Sequence, residues 1–62
     1  MDIHRDKIVE VYNDKGDKVL IYKQKLRNNT LNEIAEIETD DLNKLINEVR
    51  RKVNEWNNIG DV

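Results

Sequence analysis

Cysteine, serine and proline do not occur in this sequence of 62 residues, and it holds only two glycines and one histidine. Each shortage closes a class of explanation. Without cysteine no disulfide can supplement a small core, and there is neither a thiol nucleophile nor a cysteine-ligated zinc site. Without serine or cysteine the common activated nucleophiles are gone. The lone histidine, His4, lies near an end expected to fray, where it reads as an ordinary solvated side chain.

Long apolar runs are missing as well. The longest is Val19 to Tyr22, far short of a membrane span, and Met1 to Asp6 has none of the apolar stretch of an export signal. The expected compartment is therefore the cytoplasm, and Asn28-Asn29-Thr30 reads as a turn rather than a glycosylation site. Charge of one sign is also scarce: charged residues make up 39% of the chain, yet the net charge is only -2. That balance exerts no general pull on nucleic acid or anionic membrane. Its distribution is uneven, with Lys18, Lys23, Lys25 and Arg27 clustered ahead of a segment rich in Glu and Asp.

What is present is patterned apolar residues in one domain, of a size that buries only about 60% of its extended surface on folding. Residues 6–12 and 18–26 are rich in Val, Ile and Tyr and flank Asn13-Asp14-Lys15-Gly16-Asp17. This predicts a hairpin with a three-residue loop closed by Gly16 in the left-handed region, pairing Val11 with Val19 and Val9 with Ile21. A second turn at Asn28-Asn29 would pair Leu26 with Leu31 and begin a third strand over residues 31–38. Counting outward from both turns puts Ile8, Tyr12, Leu20, Tyr22, Leu26, Leu31, Ala35 and Ile37 on one face. A competing reading makes the third segment helical, because Thr30 and Glu33 fit a capping box and Leu31, Ile34 and Ala35 have helical spacing.

The last element is predicted as a helix over residues 40–57, capped by Thr39 and stopped by Asn57, Asn58 and Gly60. Leu42, Leu45, Ile46, Val49, Val53 and Trp56 fall within an arc of about 100° on it, a stripe suited to covering the sheet. The expected fold is α+β: a three-stranded antiparallel β-meander followed by one amphipathic helix. Its core should be Leu20, Tyr22, Ile37, Leu45, Val49 and Trp56.

No constellation in this pattern carries chemistry. Glu36, Glu38, Asp40 and Asp41 form a dense acidic run, but the first two belong to the polar face of a strand and the others complement a helix N-terminus. Asn13 to Asp17 lacks the ligand spacing of a calcium loop, and neither glycine sits in a phosphate-cradling motif. Arg50-Arg51-Lys52 is spread round the helix, while Lys44, Glu48, Arg51 and Glu55 make a solvent-facing ladder. No catalytic activity, cofactor or metal is expected.

The surface left over is the outer sheet face, where Val9, Val11, Val19, Ile21 and Ile34 should form an apolar island. Lys7, Lys23, Lys25, Glu36 and Glu38 rim it. An apolar patch of this kind suits a protein partner. The expected function is a small binding module acting by occupancy, such as an inhibitor, adaptor or small subunit. Its partner would be a larger protein, a second copy of itself, or both, since the first strand has no proline to blunt its edge. Brevity and abundant asparagine associate such a chain with the accessory proteins of phages and mobile elements. The rival expectation is a dimeric single-stranded nucleic-acid binder pooling Lys7, Lys23 and Lys25, for which aromatic stacking platforms are missing if Tyr12, Tyr22 and Trp56 are all core.

Overall fold

The computed structural model describes residues 1–60, and these form β1 (Ile3–Arg5), β2 (Val9–Tyr12), β3 (Val19–Asn28), β4 (Glu33–Thr39) and α1 (Leu42–Gly60). All strand pairings are antiparallel and all involve β3. Leu26 to Asn28 pair with both β1 and β4, while Tyr22 and Lys23 pair with both β2 and β4. A strand has only two edges, so β1 and β2 lie end to end along one edge of β3 and β4 takes the other. The architecture is α+β, a β-meander with the C-terminal helix packed over β3 and β4. The segment at 33–39 is a strand, which removes the reading of the third segment as helical.

The expected first strand at 6–12 is replaced by two shorter ones, and the N-terminus is not frayed. The Asn29 amide donates to Asp2 O at 2.9 Å, and the Asp2 amide donates to Thr30 Oγ1 at 2.8 Å. Between Arg5, opposite Leu26, and Val9, opposite Lys23, the edge strand takes four steps against three on β3. One extra residue makes a bulge, and a bulge inverts which side chains face inward. Odd-numbered Ile3 before it consequently packs on the core, while odd-numbered Val9 and Val11 after it stand opposite Lys23 and Ile21 on the outer face. Gln24 holds the break, its side-chain amide donating to Asp6 O at 2.8 Å.

Both turns are longer than expected. Asn13 pairs with Lys18 rather than Asp17, its amide donating to Lys18 O at 2.8 Å, and its Oδ1 accepts the amides of Lys15 and Asp17. Gly16 does take the left-handed conformation, at φ 73°. Opposite this loop a second bulge leaves Leu20 without a partner, because Tyr12 faces Val19 while Val11 faces Ile21. The second loop spans 29–32 and ends on Asn32 in the left-handed region at φ 58°, pairing Leu26 with Ala35 instead of Leu31. Buried Asn28 closes it from below, Oδ1 accepting the Leu31 amide at 2.9 Å.

The helix is capped by Asp41, not Thr39: Asp41 Oδ1 accepts the Asn43 amide at 2.8 Å, and Thr39 Oγ1 accepts the Asp41 amide at 3.4 Å. It runs on through Asn57 and Asn58 to Gly60, because residues of modest helix propensity lower helicity without terminating it. On its stripe Leu45, Val49 and Trp56 are buried against Leu26, with Ile3, Tyr22, Leu31, Ala35, Ile37 and Val53 packed round them. The Trp56 indole donates to Glu33 Oε2 at 2.7 Å, and Lys52 Nζ sits 5.0 Å from its ring centroid. On the solvent side of α1, Glu48 pairs with Arg51 at 3.8 Å, while Glu55 pairs with Lys52 at 3.6 Å.

Leu20, expected in the core, is 47% exposed. The shape explains it. The molecule measures 48 × 18 × 11 Å with a radius of gyration of 13.5 Å, against about 10.6 Å for a compact domain of this length. Helix α1 starts where β4 ends, beside Tyr22, and returns toward Glu33, so it leaves the loop end of the β2–β3 hairpin uncovered.

Candidate docking surface

The outer sheet face is assembled by the odd-numbered residues of β2 and of β3 from Ile21 onward, together with the even-numbered residues of β4. Val11 stands opposite Ile21, and Val9, 55% exposed, stands opposite Lys23. Val19 is half-buried and lies beyond the Leu20 bulge, opposite Tyr12. Alternation is broken there, so Val19 shares the side of Tyr12 and does not continue the group of Val9, Val11 and Ile21. The apolar part of this face is thus Val9, Val11 and Ile21, gathered at the hairpin end.

Ile34 does not join them. It is 69% exposed and faces Arg27, six residues along β3 from Ile21, or about 20 Å at strand spacing. The expected island is therefore divided. Between its parts runs a ladder of opposite charges: Lys23 Nζ is 3.6 Å from Glu38 Oε1, and Lys25 is directly opposite Glu36. Beyond it Arg27 Nη2 lies 3.3 Å from Asp6 Oδ2, and Asp6 Oδ1 lies 3.3 Å from His4 Nε2. Lys7, expected on the rim, falls in the edge-strand bulge between β1 and β2.

Such pairs are exposed and contribute little to stability, on the order of 0 to 1 kcal/mol each. Their consequence here is electrostatic. Each cation of the outer face has a carboxylate within reach or directly across the strand, so the face carries alternating sign rather than a positive field.

The chain matches no family model, no curated protein and no solved structure.

Among the described residues no three His, Cys, Asp or Glu side chains gather as a metal site, and no helix is long and apolar enough to cross a membrane. Tyr12 is the aromatic whose position the sequence misjudges. It is 49% exposed, not core, and its phenol donates to Glu10 Oε2 at 2.6 Å. That hydrogen bond, and the repulsion between the carboxylate and a phenolate, hold the Tyr12 pKa above its usual value of 10.0. With Tyr12, Ile8, Leu20, Leu42 and Ile46 stay exposed on what should have been the covered side. The lengths gave no sign of this, because the expected pairing of Leu26 with Leu31 would have carried the third strand as far as Val19. The longer second loop ends β4 opposite Tyr22 and leaves Val19 to Ile21 paired with β2.

Proposed function

We propose that this chain is a non-enzymatic protein-binding module that acts by occupying a larger partner, through the outer sheet face. Val9, Val11 and Ile21 form the apolar centre of contact. Lys23, Lys25, Glu36 and Glu38 set orientation, and Ile34 is a separate apolar foot at the far end. An inhibitor, adaptor or small subunit working in the cytoplasm fits such a surface.

The observation that carries this reading is the charge ladder. A surface built for phosphate keeps its cations free and of one sign, so that binding releases counterions and weakens steeply with salt. Here Lys23 is bridged to Glu38 and Lys25 faces Glu36, next to uncharged β-branched residues. Mixed charge round a small apolar centre suits a protein surface, where apolar burial supplies affinity and the rim governs orientation and rate. Exposed Tyr12 offers a stacking face, but it is tied to the Glu10 carboxylate, which repels phosphate.

The test compares charge introduction with charge removal. Val9→Asp and Ile21→Asp should each abolish capture of the partner from extract of the native host while leaving the helical circular dichroism intact. Lys23→Ala combined with Lys25→Ala should weaken capture only modestly. The reverse ranking, with salt-sensitive binding of oligothymidylate that the double lysine variant loses, would replace this reading with the nucleic-acid one.

A further inference from the structure

The two edges of the sheet are built differently. The edge made by β1 and β2 consists of strands three and four residues long, broken by the bulge between Arg5 and Val9, and short or bulged edges resist further pairing. The β4 edge has neither protection. It is seven residues long, pairs with β3 in unbroken register from Glu33 to Thr39, and contains no proline or lysine. Among the described residues no strand pairs with its other side. Past Tyr22, β3 runs on with β2 alone as a hairpin arm, so the open edge is confined to residues 33–39.

The groups it leaves open follow from the far side of β3. There the Lys25 carbonyl accepts the Asp6 amide at 3.0 Å, and the Asn29 amide donates to Asp2 O at 2.9 Å, so the odd-numbered residues turn their backbone groups away from β4. The even-numbered residues of β3 therefore bond to β4, and their partners are Glu33, Ala35, Ile37 and Thr39. The N–H and C=O of Ile34, Glu36 and Glu38 consequently point out of the sheet. Side chains of the same three residues are exposed on the outer face, Ile34 at 69%. One edge thus offers open backbone groups and a short side-chain code together.

We propose that β4 takes up an extended segment of a partner protein as an added strand, with Lys or Arg against Glu36 and Glu38 and an apolar residue against Ile34. Backbone bonding supplies affinity and the side-chain row supplies choice. Lys23 and Lys25 stand opposite these carboxylates on β3, about 4.8 Å to one side, and an incoming residue stands as close on the open side. A cation there continues the cross-strand alternation of charge, whereas an acid meets a like charge directly opposite. The same rule disfavours a second copy. Because β4 has no Lys or Arg, no register of two β4 strands gives either carboxylate a counter-charge, and pairing centred on Glu36 sets two carboxylates face to face. The inference shares Glu36 and Glu38 with the outer face but needs nothing of Val9, Val11 and Ile21.

Amide exchange followed by NMR on the full chain tests this, with the acetylated, amidated peptide Thr-Lys-Val-Lys-Val-Ile-Thr as probe. Added antiparallel, it sets its lysines against Glu38 and Glu36 and its isoleucine against Ile34. Without peptide, the Ala35 and Ile37 amides should be protected and those of Ile34, Glu36 and Glu38 should exchange freely. At millimolar peptide these three should slow about fivefold or more. A peptide with glutamate at both lysine positions should have no effect, and Glu36→Lys combined with Glu38→Lys should reverse that preference. Methylating the backbone nitrogen of the second lysine, which faces Glu36, should abolish the protection with the protein unaltered. Ile21→Asp should leave it intact, which separates this edge from the contact at the hairpin end. The proposal is overturned if the three amides do not slow, if the lysine and glutamate peptides act alike, or if the response falls on Val9, Val11 and Ile21. Protection that rises with protein concentration alone would assign the edge to a second copy, and it too would overturn the proposal.

Discussion

The two ends of β3 live in different surroundings. At Leu26 the strand has β1 on one side, β4 on the other, and Leu45, Val49 and Trp56 above it. At Ile21 it has β2 alone. The same ten-residue strand is thus a core element at one end and half of an exposed ribbon at the other. The difference follows from where the chain turns back, not from the residues themselves, because Val19-Leu20-Ile21 is as apolar as any segment in the sequence. Coverage, more than hydropathy, decides what is buried in so short a chain.

Truncation at each end should expose this contrast most strongly. Leu45→Ala removes a fully buried side chain and is expected to cost about 2 to 5 kcal/mol, enough to unfold much of the protein. Leu20→Ala, at a half-exposed bulge, should cost less than about 1 kcal/mol. Thermal melts by circular dichroism measure both, and equal losses would mean that the arm is packed as tightly as the covered end.

A smaller effect is expected at the loop that closes the arm. A Cβ added at Gly16 meets nothing within 4 Å, so any cost of Gly16→Ala arises from its φ of 73° alone. That cost is about 1 to 2 kcal/mol, and it should fall on the arm. Amide exchange at Val11 and Ile21 should accelerate while that at Leu26 holds. Uniform acceleration would show that the two ends open as one unit.

Where the ends join, Gln24 is the link, because its amide satisfies Asp6 O at the bulge between β1 and β2. Gln24→Ala should cost about 1 kcal/mol, read by urea denaturation. The exchange rates of β1 should rise along with those of β2. If only one of them responds, the edge is two independent strands.

These ends were unequally legible in the sequence, and the reason is arithmetic. The expected pairings are displaced by two residues in the first hairpin, where Val11 meets Ile21 instead of Val19. In the second they are displaced by four, Leu26 meeting Ala35 instead of Leu31. Even slips keep every side chain on its face while changing its neighbour. The inner face over Leu26, Ala35 and Ile37 was therefore readable, as was the helix stripe of Leu45, Val49 and Trp56. The island was not, because moving Ile34 from Lys23 to Arg27 keeps it outside but carries it away from Val9. Strand β1 has one apolar residue in three and a bulge that reverses its phase, so periodicity could not reveal it. Leu42 and Ile46 fit the stripe, yet no angular count tells where the sheet beneath them stops.

The smallest expected effect belongs wholly to the arm. Tyr12 donates to Glu10 from an exposed position, and its pKa is raised by that bond first and by the carboxylate's charge second. A folded-state pKa above the unfolded one favours the protonated phenol. The contribution is therefore present below pH 10 and is lost as pH rises through the folded pKa. In a Tyr22→Phe background, which leaves one tyrosine, titration of phenolate absorbance should place Tyr12 above its usual value, and Glu10→Gln should bring it down. Solvent screening keeps the change in stability small, so the titration is the informative measurement. Because both residues lie on β2, away from the covered core, Leu45→Ala at partial denaturation should leave the shift only in the folded fraction. A Tyr12 shift that outlasts the loss of helical signal would show that the arm holds its pairing without the rest of the domain.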